Sequence, residues 1–240
     1  MSPKQRVLFA SGLFASFGVS VSIILIAIGG GFSAPISSLF HPPTPADVWT
    51  VGENIRDGTI LKYSLTTIGS HSSPWSSLVG PSSLINATVV MSFHKDHENK
   101  WNVTFSITNA TTTKVGTILL SKQQLTNAGP IGKDFLLFYI PLESSLLEIR
   151  DIALQPEYLA IGAEWNSIDV GLSTISAKIV NQEKIQTQAG IFHAFVLSYK
   201  IGDKTSRIWL AKDIPLPLKA EVYNVHNQLQ YNYSLFYVKQ

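Results

Sequence analysis

From Asp47 onward the chain is dominated by hydrophobic and polar positions that alternate with a period of two. Trp101, Val103, Phe105 and Ile107 alternate with Asn102, Thr104, Ser106 and Thr108. Successive side chains of a strand point to opposite faces, so this pattern buries one face and wets the other. Residues 87–93 have the same character and are expected to form a hairpin with 101–108 across a polar loop at 94–100. Near the C-terminus Leu229, Tyr231, Tyr233, Leu235 and Tyr237 alternate with Gln230, Asn232 and Ser234. Further strands are predicted over 175–185, 191–201, 205–212 and 218–224, with turns at Ala189-Gly190, Gly202-Asp203 and Asn227. Connections this short make neighbouring strands antiparallel, as a meander. The period changes once. Leu146, Leu147, Ile149, Ile152 and Ala153 form a helical stripe that ends at Pro156, and Ser145 with Glu148 fits a capping box. The expected fold is mainly β, a twisted antiparallel sheet with one short helix packed on it.

The first 46 residues follow a different pattern. Residues 1–6 carry Lys4 and Arg6 as a cytoplasmic tip, and residues 7–28 contain no charge. At about 1.5 Å of rise per residue, that stretch spans the ~30 Å hydrocarbon core of a bilayer as a transmembrane signal-anchor. The basic residues before it, with none after it until Arg56, place the N-terminus inside and the remainder outside. A cleaved signal peptide is the rival reading. The apolar core is longer than such peptides use, and Phe32-Ser33-Ala34 followed by Pro35 is a poor cleavage site, so a retained anchor is favoured. Residues 29–46, rich in Gly, Ser and Pro and free of charge, read as a stalk. The extracytoplasmic β-rich domain then occupies 47–240. Gly12 and Ser16 in the anchor form a small-xxx-small pair that permits helix association.

Composition narrows the chemistry. Only 14% of the 240 residues are charged, against about a quarter in typical soluble domains. No Cys is present, which excludes disulfides, Cys-ligated zinc, iron–sulfur clusters and thiol nucleophiles. Setting Lys4 and Arg6 aside leaves 16 of the 18 basic residues against 16 acidic ones. The outer domain is therefore neutral, and nucleic acid is excluded as a partner.

Two short segments are alike: Val51-Gly52-Glu53-Asn54 and Ile161-Gly162-Ala163-Glu164-Trp165-Asn166, each leading into a strand. They are read as a shared way of starting a strand and not as a repeat. The run Thr187-Gln188-Ala189-Gly190-Ile191-Phe192-His193-Ala194-Phe195, followed by 207–222 with its Ile214-Pro215-Leu216-Pro217-Leu218 centre, resembles exported half-barrel proteins related to the periplasmic lipoprotein carriers (LolA-like). The resemblance covers about 162–238. It implies a curved antiparallel sheet, a half-barrel or open barrel, with helix on its concave side and, in several members, acyl chains bound there. The single-anchor, cysteine-free layout is also similar to archaeal surface proteins.

Four N-x-S/T sequons begin at Asn86, Asn102, Asn109 and Asn232, and Asn102 and Asn232 fall on the polar faces of their strands. Either glycosylation or Ser/Thr-rich composition accounts for them. Chemistry is otherwise sparse. His94 and His97 in the 94–100 loop, with Asp96 and Glu98 beside them, are weak metal candidates, because residues three apart in a strand face opposite ways and no third histidine lies nearby. His193 is expected to be packed against Phe195, Leu197 and Tyr199. No G-x-S-x-G occurs, and Gly129-Pro130-Ile131-Gly132-Lys133-Asp134 has the wrong spacing for a phosphate loop. Glu143, Glu148, Asp151, Glu157 and Glu164 offer paired carboxylates, yet no nucleophile, base and orienter assemble, so no enzyme and no cofactor is expected. Trp101, Phe105, Tyr231, Tyr233 and Tyr237 form the candidate wall of a ligand cavity, with simple core packing as the commoner explanation. Two functions remain: a non-catalytic contact or scaffolding role among membrane and envelope proteins, or binding of a lipid or other hydrophobic ligand in a half-barrel cavity.

Overall fold

The computed structural model describes residues 48–67, 86–96, 99–170 and 173–240. The expected anchor (7–28) and stalk (29–46) lie outside the described residues, as does His97. Among the described residues no helix is long and apolar enough to cross a membrane.

Ten strands form one sheet in which every neighbouring pair is antiparallel. In chain order they are β2 (Ile60–Thr67), β3 (Ala87–Lys95), β4 (Lys100–Thr108), β5 (Thr113–Ser121), β7 (Glu164–Val170), β8 (Ser173–Thr187), β9 (Gly190–Lys200), β10 (Thr205–Leu210), β11 (Lys219–Tyr223) and β12 (Leu229–Lys239). Two short strands, β1 (Val48–Trp49) and β6 (Glu157–Tyr158), pair separately. The sheet order β5-β4-β3-β2-β12-β11-β10-β9-β8-β7 consists of two meanders. They join where β12 pairs with β2, across most of the described chain.

One face of the sheet is buried along its whole width. Leu61, Tyr63 and Leu65 on β2, Val89, Met91 and Phe93 on β3, and Val103 and Phe105 on β4 are all fully buried. The expected 87–93 and 101–108 hairpin is present in that register, with Phe93 opposite Val103. The sheet is strongly curved. β12 and β8 lie four places apart, about 19 Å in a flat sheet at ~4.8 Å per strand, yet they bring Cα atoms within 8 Å of each other.

β12 departs from the expected alternation at both ends. Register shifts occur between Val222 and Tyr223 on the β11 side and between Leu235 and Tyr237 on the β2 side. Each bulge adds a residue and reverses the facing beyond it. Tyr231, Tyr233 and Leu235 therefore point inward, while Leu229 pairs with Tyr223 and Tyr237 pairs with Lys62 on the outer face.

The helical region differs from the single helix expected. α1 (Lys133–Glu143) and α2 (Ile149–Ile152) form a strap along the buried face, α1 against β5 and α2 against β7. The unanticipated α1 comes from a continuous apolar run with Pro141 in its last turn. Pro141 deprives the Leu137 carbonyl of a helical partner, and Leu137 is exposed, so water can replace it. Ser145 does not cap α2, because its hydroxyl donates back to the Pro141 carbonyl at 2.5 Å. Leu146, Leu147, Ile149, Ile152 and Ala153 are nevertheless all buried, so the stripe faces as expected.

The proline-rich stretch after β10 closes one end of the inner side. Leu216 and Leu218 are fully buried. A buried loop is tolerated because prolines lack a donor and the carbonyls find partners. Trp49 Nε1 donates to Ile214 O at 3.0 Å, Gly52 N to Pro215 O at 2.9 Å, and Tyr63 Oη to Pro217 O at 3.0 Å. Trp49 stacks on Trp165 at 5.9 Å. The two similar segments noted above both turn at a left-handed glycine, Gly52 (φ 77°) and Gly162 (φ 92°).

Candidate functional site

The strap touches the sheet in two chemically distinct places. At the β5 end the contact is apolar. Phe135 of α1 sits over Gly116, where a side-chain Cβ would lie 2.3 Å from the ring. Phe105 packs edge-on to Tyr139 at 5.7 Å and tilts against Phe135 at 6.5 Å. Tyr139 Oη donates to Glu143 Oε1 at 2.9 Å, and Arg150 Nη2 donates to the same oxygen at 3.1 Å, tying α1 to α2.

At mid-sheet the contact is polar. Glu148, in the turn before α2, directs its carboxyl onto β12, where Tyr231 Oη donates to Oε2. Tyr199 of β9 hydrogen-bonds both Tyr231 and Ser206. β9 and β12 are three places apart, about 14 Å in a flat sheet, so these hydroxyls meet only because the sheet curves around them. Tyr233 stacks on Tyr231 at 5.9 Å and meets Tyr63 edge-on at 5.7 Å.

The residue Glu148 is partly exposed at its surface, but its carboxyl is enclosed. Burial raises its pKa from 4.5 to about 7; the Tyr231 hydrogen bond opposes this and the charge of Asp151 adds to it. Tyr231, Tyr233 and Tyr199 are all pushed well above the ordinary phenol range, first by burial and then by neighbouring groups that include Glu148. Enclosure favours the neutral carboxyl, while the Tyr231 hydroxyl donating to it favours the ionised one, and enclosure prevails.

Of the five aromatic residues expected to share a cavity wall, four lie on the buried face of the sheet and one does not. Trp101 and Phe105 are buried on β4, Tyr231 and Tyr233 are buried on β12, and Tyr237 stands 40% exposed on the outer face under the Lys62 ammonium. Of the carboxylates, Glu143, Glu148 and Asp151 remain near enough to act on one another through their charges, while Glu157 and Glu164 stand apart. Glu143 is bound by Arg150, Glu157 is buried in β6, and Glu164 lies 3.8 Å from Lys178. His94 is exposed, with Nδ1 3.9 Å from Asp57 Oδ1. His193 is exposed where a packed position was expected, because this end of β9 is left uncovered, with Ile191 exposed as well. No group of three or more metal-binding side chains occurs among the described residues.

Of the sequon asparagines, Asn86 is exposed and accepts a hydrogen bond from Thr66 Oγ1 at 2.9 Å. Thr66 is also the β2 partner of Asn232, which brings these two sequons together on the outer face. Asn102 lies on that face of β4, and Asn109 shapes the β4–β5 turn by accepting from the Thr111 and Thr112 amides at 3.1 and 2.9 Å. A shallow outer-face cleft of about 240 Å³ is lined by Lys204, Thr205, Arg207, Glu221 and Tyr223.

Sequence reasoning missed the Glu148 cluster. Tyr231 and Tyr233 are legible as inward residues, but Glu148 reads as a capping-box residue and as one of several candidate carboxylates. Nothing local links it to Tyr199 or Tyr231, which lie on strands far along the chain.

No family model matches the chain, and no curated protein matches it. Among solved structures, the chain is similar to a protein described as exported, with a YmcC-like fold, from Bacteroides fragilis. That match has 13% identity, 80% of this chain and 100% of that one covered, and a TM-score of 0.37. A protein described as a lipoprotein from Parabacteroides distasonis matches with 11% identity, 80% and 99% coverage, and a TM-score of 0.37. MucB matches with 11% identity over 78% of this chain and 55% of its own, with a TM-score of 0.41. The fold described here rests on its own strand registers.

Proposed function

We propose that this chain is a membrane-anchored extracytoplasmic protein whose β domain has a non-catalytic contact role among other envelope components. The observation that carries the reading is the filled space between sheet and strap. Phe105, Tyr139, Leu142, Leu146, Leu147 and Tyr231 are each at most 2% exposed. Large apolar side chains stand instead at the surface, including Leu154 at 62%, Ile161 at 65% and Val180 at 49% exposed. A packed interior with apolar residues outside favours contact with a partner over storage of a ligand. The charge-free span at 7–28, preceded by Lys4 and Arg6, supports the anchored orientation. Outer-face positions of Asn86, Asn102 and Asn232 support accessibility to glycosylation.

Native mass spectrometry of the detergent-extracted full chain tests the reading. A stoichiometric protein partner without bound lipid is the expected result. Co-purifying lipid with no protein partner rejects it in favour of the hydrophobic-ligand function.

A further inference from the structure

β5 is the outermost strand on one side of the sheet, paired with β4 continuously from Thr108 opposite Thr113 to Lys100 opposite Ser121. In an antiparallel pair, every second residue turns its N–H and C=O away from the partner strand. The phase is set at both ends. In the turn, Asn109 N–H donates to Thr112 O at 3.0 Å, so the outward series on β5 starts at Thr113. At the other end Leu119 O accepts from Ala128 N–H, and Ser121 N–H donates to Thr126 O, both at 2.8 Å. Those two residues belong to the outward series and are already satisfied by the returning chain. Thr113, Val115 and Thr117 belong to the same series, and among the described residues no strand lies beyond them.

Natural edge strands are usually blunted by proline, a bulge or charged side chains, and on β5 Lys114 is the one such device. β5 has no proline, and its pairing with β4 has no register shift. Its one charged residue, Lys114, is paired on the inner face with Ile107, and its ammonium lies 5.8 Å from the Phe138 ring. Val115 is 63% exposed on the outer face.

We propose that the 113–117 edge of β5 is a strand-addition site for an extended segment of a partner protein, a proposal that rests on the contact role above. Main-chain donors and acceptors repeating every second residue are matched by another extended chain, and not by a helix or a lipid surface. The open stretch accommodates a segment of about five residues. Val115 favours a β-branched or aromatic side chain beside it on the outer face. Lys114, with no acidic residue on β5, favours a neutral or acidic segment.

The test titrates the full chain in detergent with an acetylated, amidated hexapeptide of alternating Thr and Val carrying one central Glu, and follows amide hydrogen exchange. The peptide is expected to slow exchange at Thr113, Val115 and Thr117 by about tenfold or more. Val115→Pro removes one outward N–H without touching the bonds to β4, and it should abolish this protection while the unfolding temperature stays unchanged. Thr117→Pro serves the same purpose if that variant fails to fold. Three results overturn the proposal: no protection at millimolar peptide, slow exchange at these amides in the free protein, or a dimer that Val115→Pro dissolves, since a second copy would then be the occupant. Native mass spectra also separate the two readings. A partner retained by Val115→Pro rejects the edge while the contact role stands. A wild-type chain without a partner rejects the contact role, and peptide protection still decides the edge.

Discussion

Two of the contacts that hold the strap on the sheet obey different physics. At the β5 end, Phe135 fills the notch left by Gly116 and packs with Tyr139 against Phe105, so the hold is one of volume and dispersion. At mid-sheet, Glu148 meets Tyr231 inside a ring of tyrosines, so the hold depends on hydrogen bonding and on which proton is present. The first contact should be insensitive to pH and intolerant of any change in size. The second should tolerate an isosteric change and respond to pH. A domain with both has one fixed and one adjustable fastening for the same element.

The largest expected effect tests the apolar fastening. Phe105→Ala removes a fully buried ring that touches both Phe135 and Tyr139. It should cost about 3–5 kcal/mol in urea unfolding, equally at pH 5 and pH 8. A loss that varies strongly with pH would break the distinction between the two contacts.

Next comes the polar fastening. Glu148 has a folded-state pKa of about 7 against 4.5 unfolded, so between these values the folded state holds more protons. Stability therefore falls as pH rises through that window, by an amount on the order of 3 kcal/mol in total. Asp151 and Glu157, both raised chiefly by burial, add to the same trend. Glu148→Gln should flatten the slope between pH 5 and pH 8 and leave the variant more stable than wild type at pH 8. An unchanged slope would show that the carboxyl is not enclosed as described.

A smaller effect sharpens the volume argument. Gly116→Ala places a methyl against the Phe135 ring and should cost about 1–3 kcal/mol. Combined with Phe135→Ala, the added cost should largely vanish, a non-additivity read directly from a double-mutant cycle. The smallest effect concerns β12. Tyr237→Ala should change stability by no more than about 0.5 kcal/mol, because the bulge puts this ring outside. A loss of several kcal/mol would restore Tyr237 to the interior with Tyr233.

Much of the strand content was legible because an alternating pattern is local. The 101–108 strand, its hairpin partner and the C-terminal meander follow from residues that sit next to one another. β5 was not anticipated, and β2 and β7 only as the strands that the Val51 and Ile161 segments lead into. β5 begins with five residues that are not buried, so its first half has no buried face to declare itself. α1 was hidden by an unbroken apolar run with a proline in it, which carries no helical period. The two bulges in β12 cannot be read from its own alternation, since they are set by the spacing of β11 and β2 on either side.

By itself the sequence determined the β class, the inward identity of Trp101, Phe105, Tyr231 and Tyr233, the neutrality of residues 47–240 and the charge-free span before them. These depend on period, composition and order, which are properties of neighbouring residues. Only the tertiary structure decided that β12 pairs with β2, that the strap crosses the buried face, and that Glu148 meets tyrosines from β9 and β12. Those contacts arise because a curved sheet brings distant strands onto one concave face, and no local pattern encodes the curvature. The same closure leaves β5 as an open edge, which no reading of its residues alone would have placed at the border of the sheet.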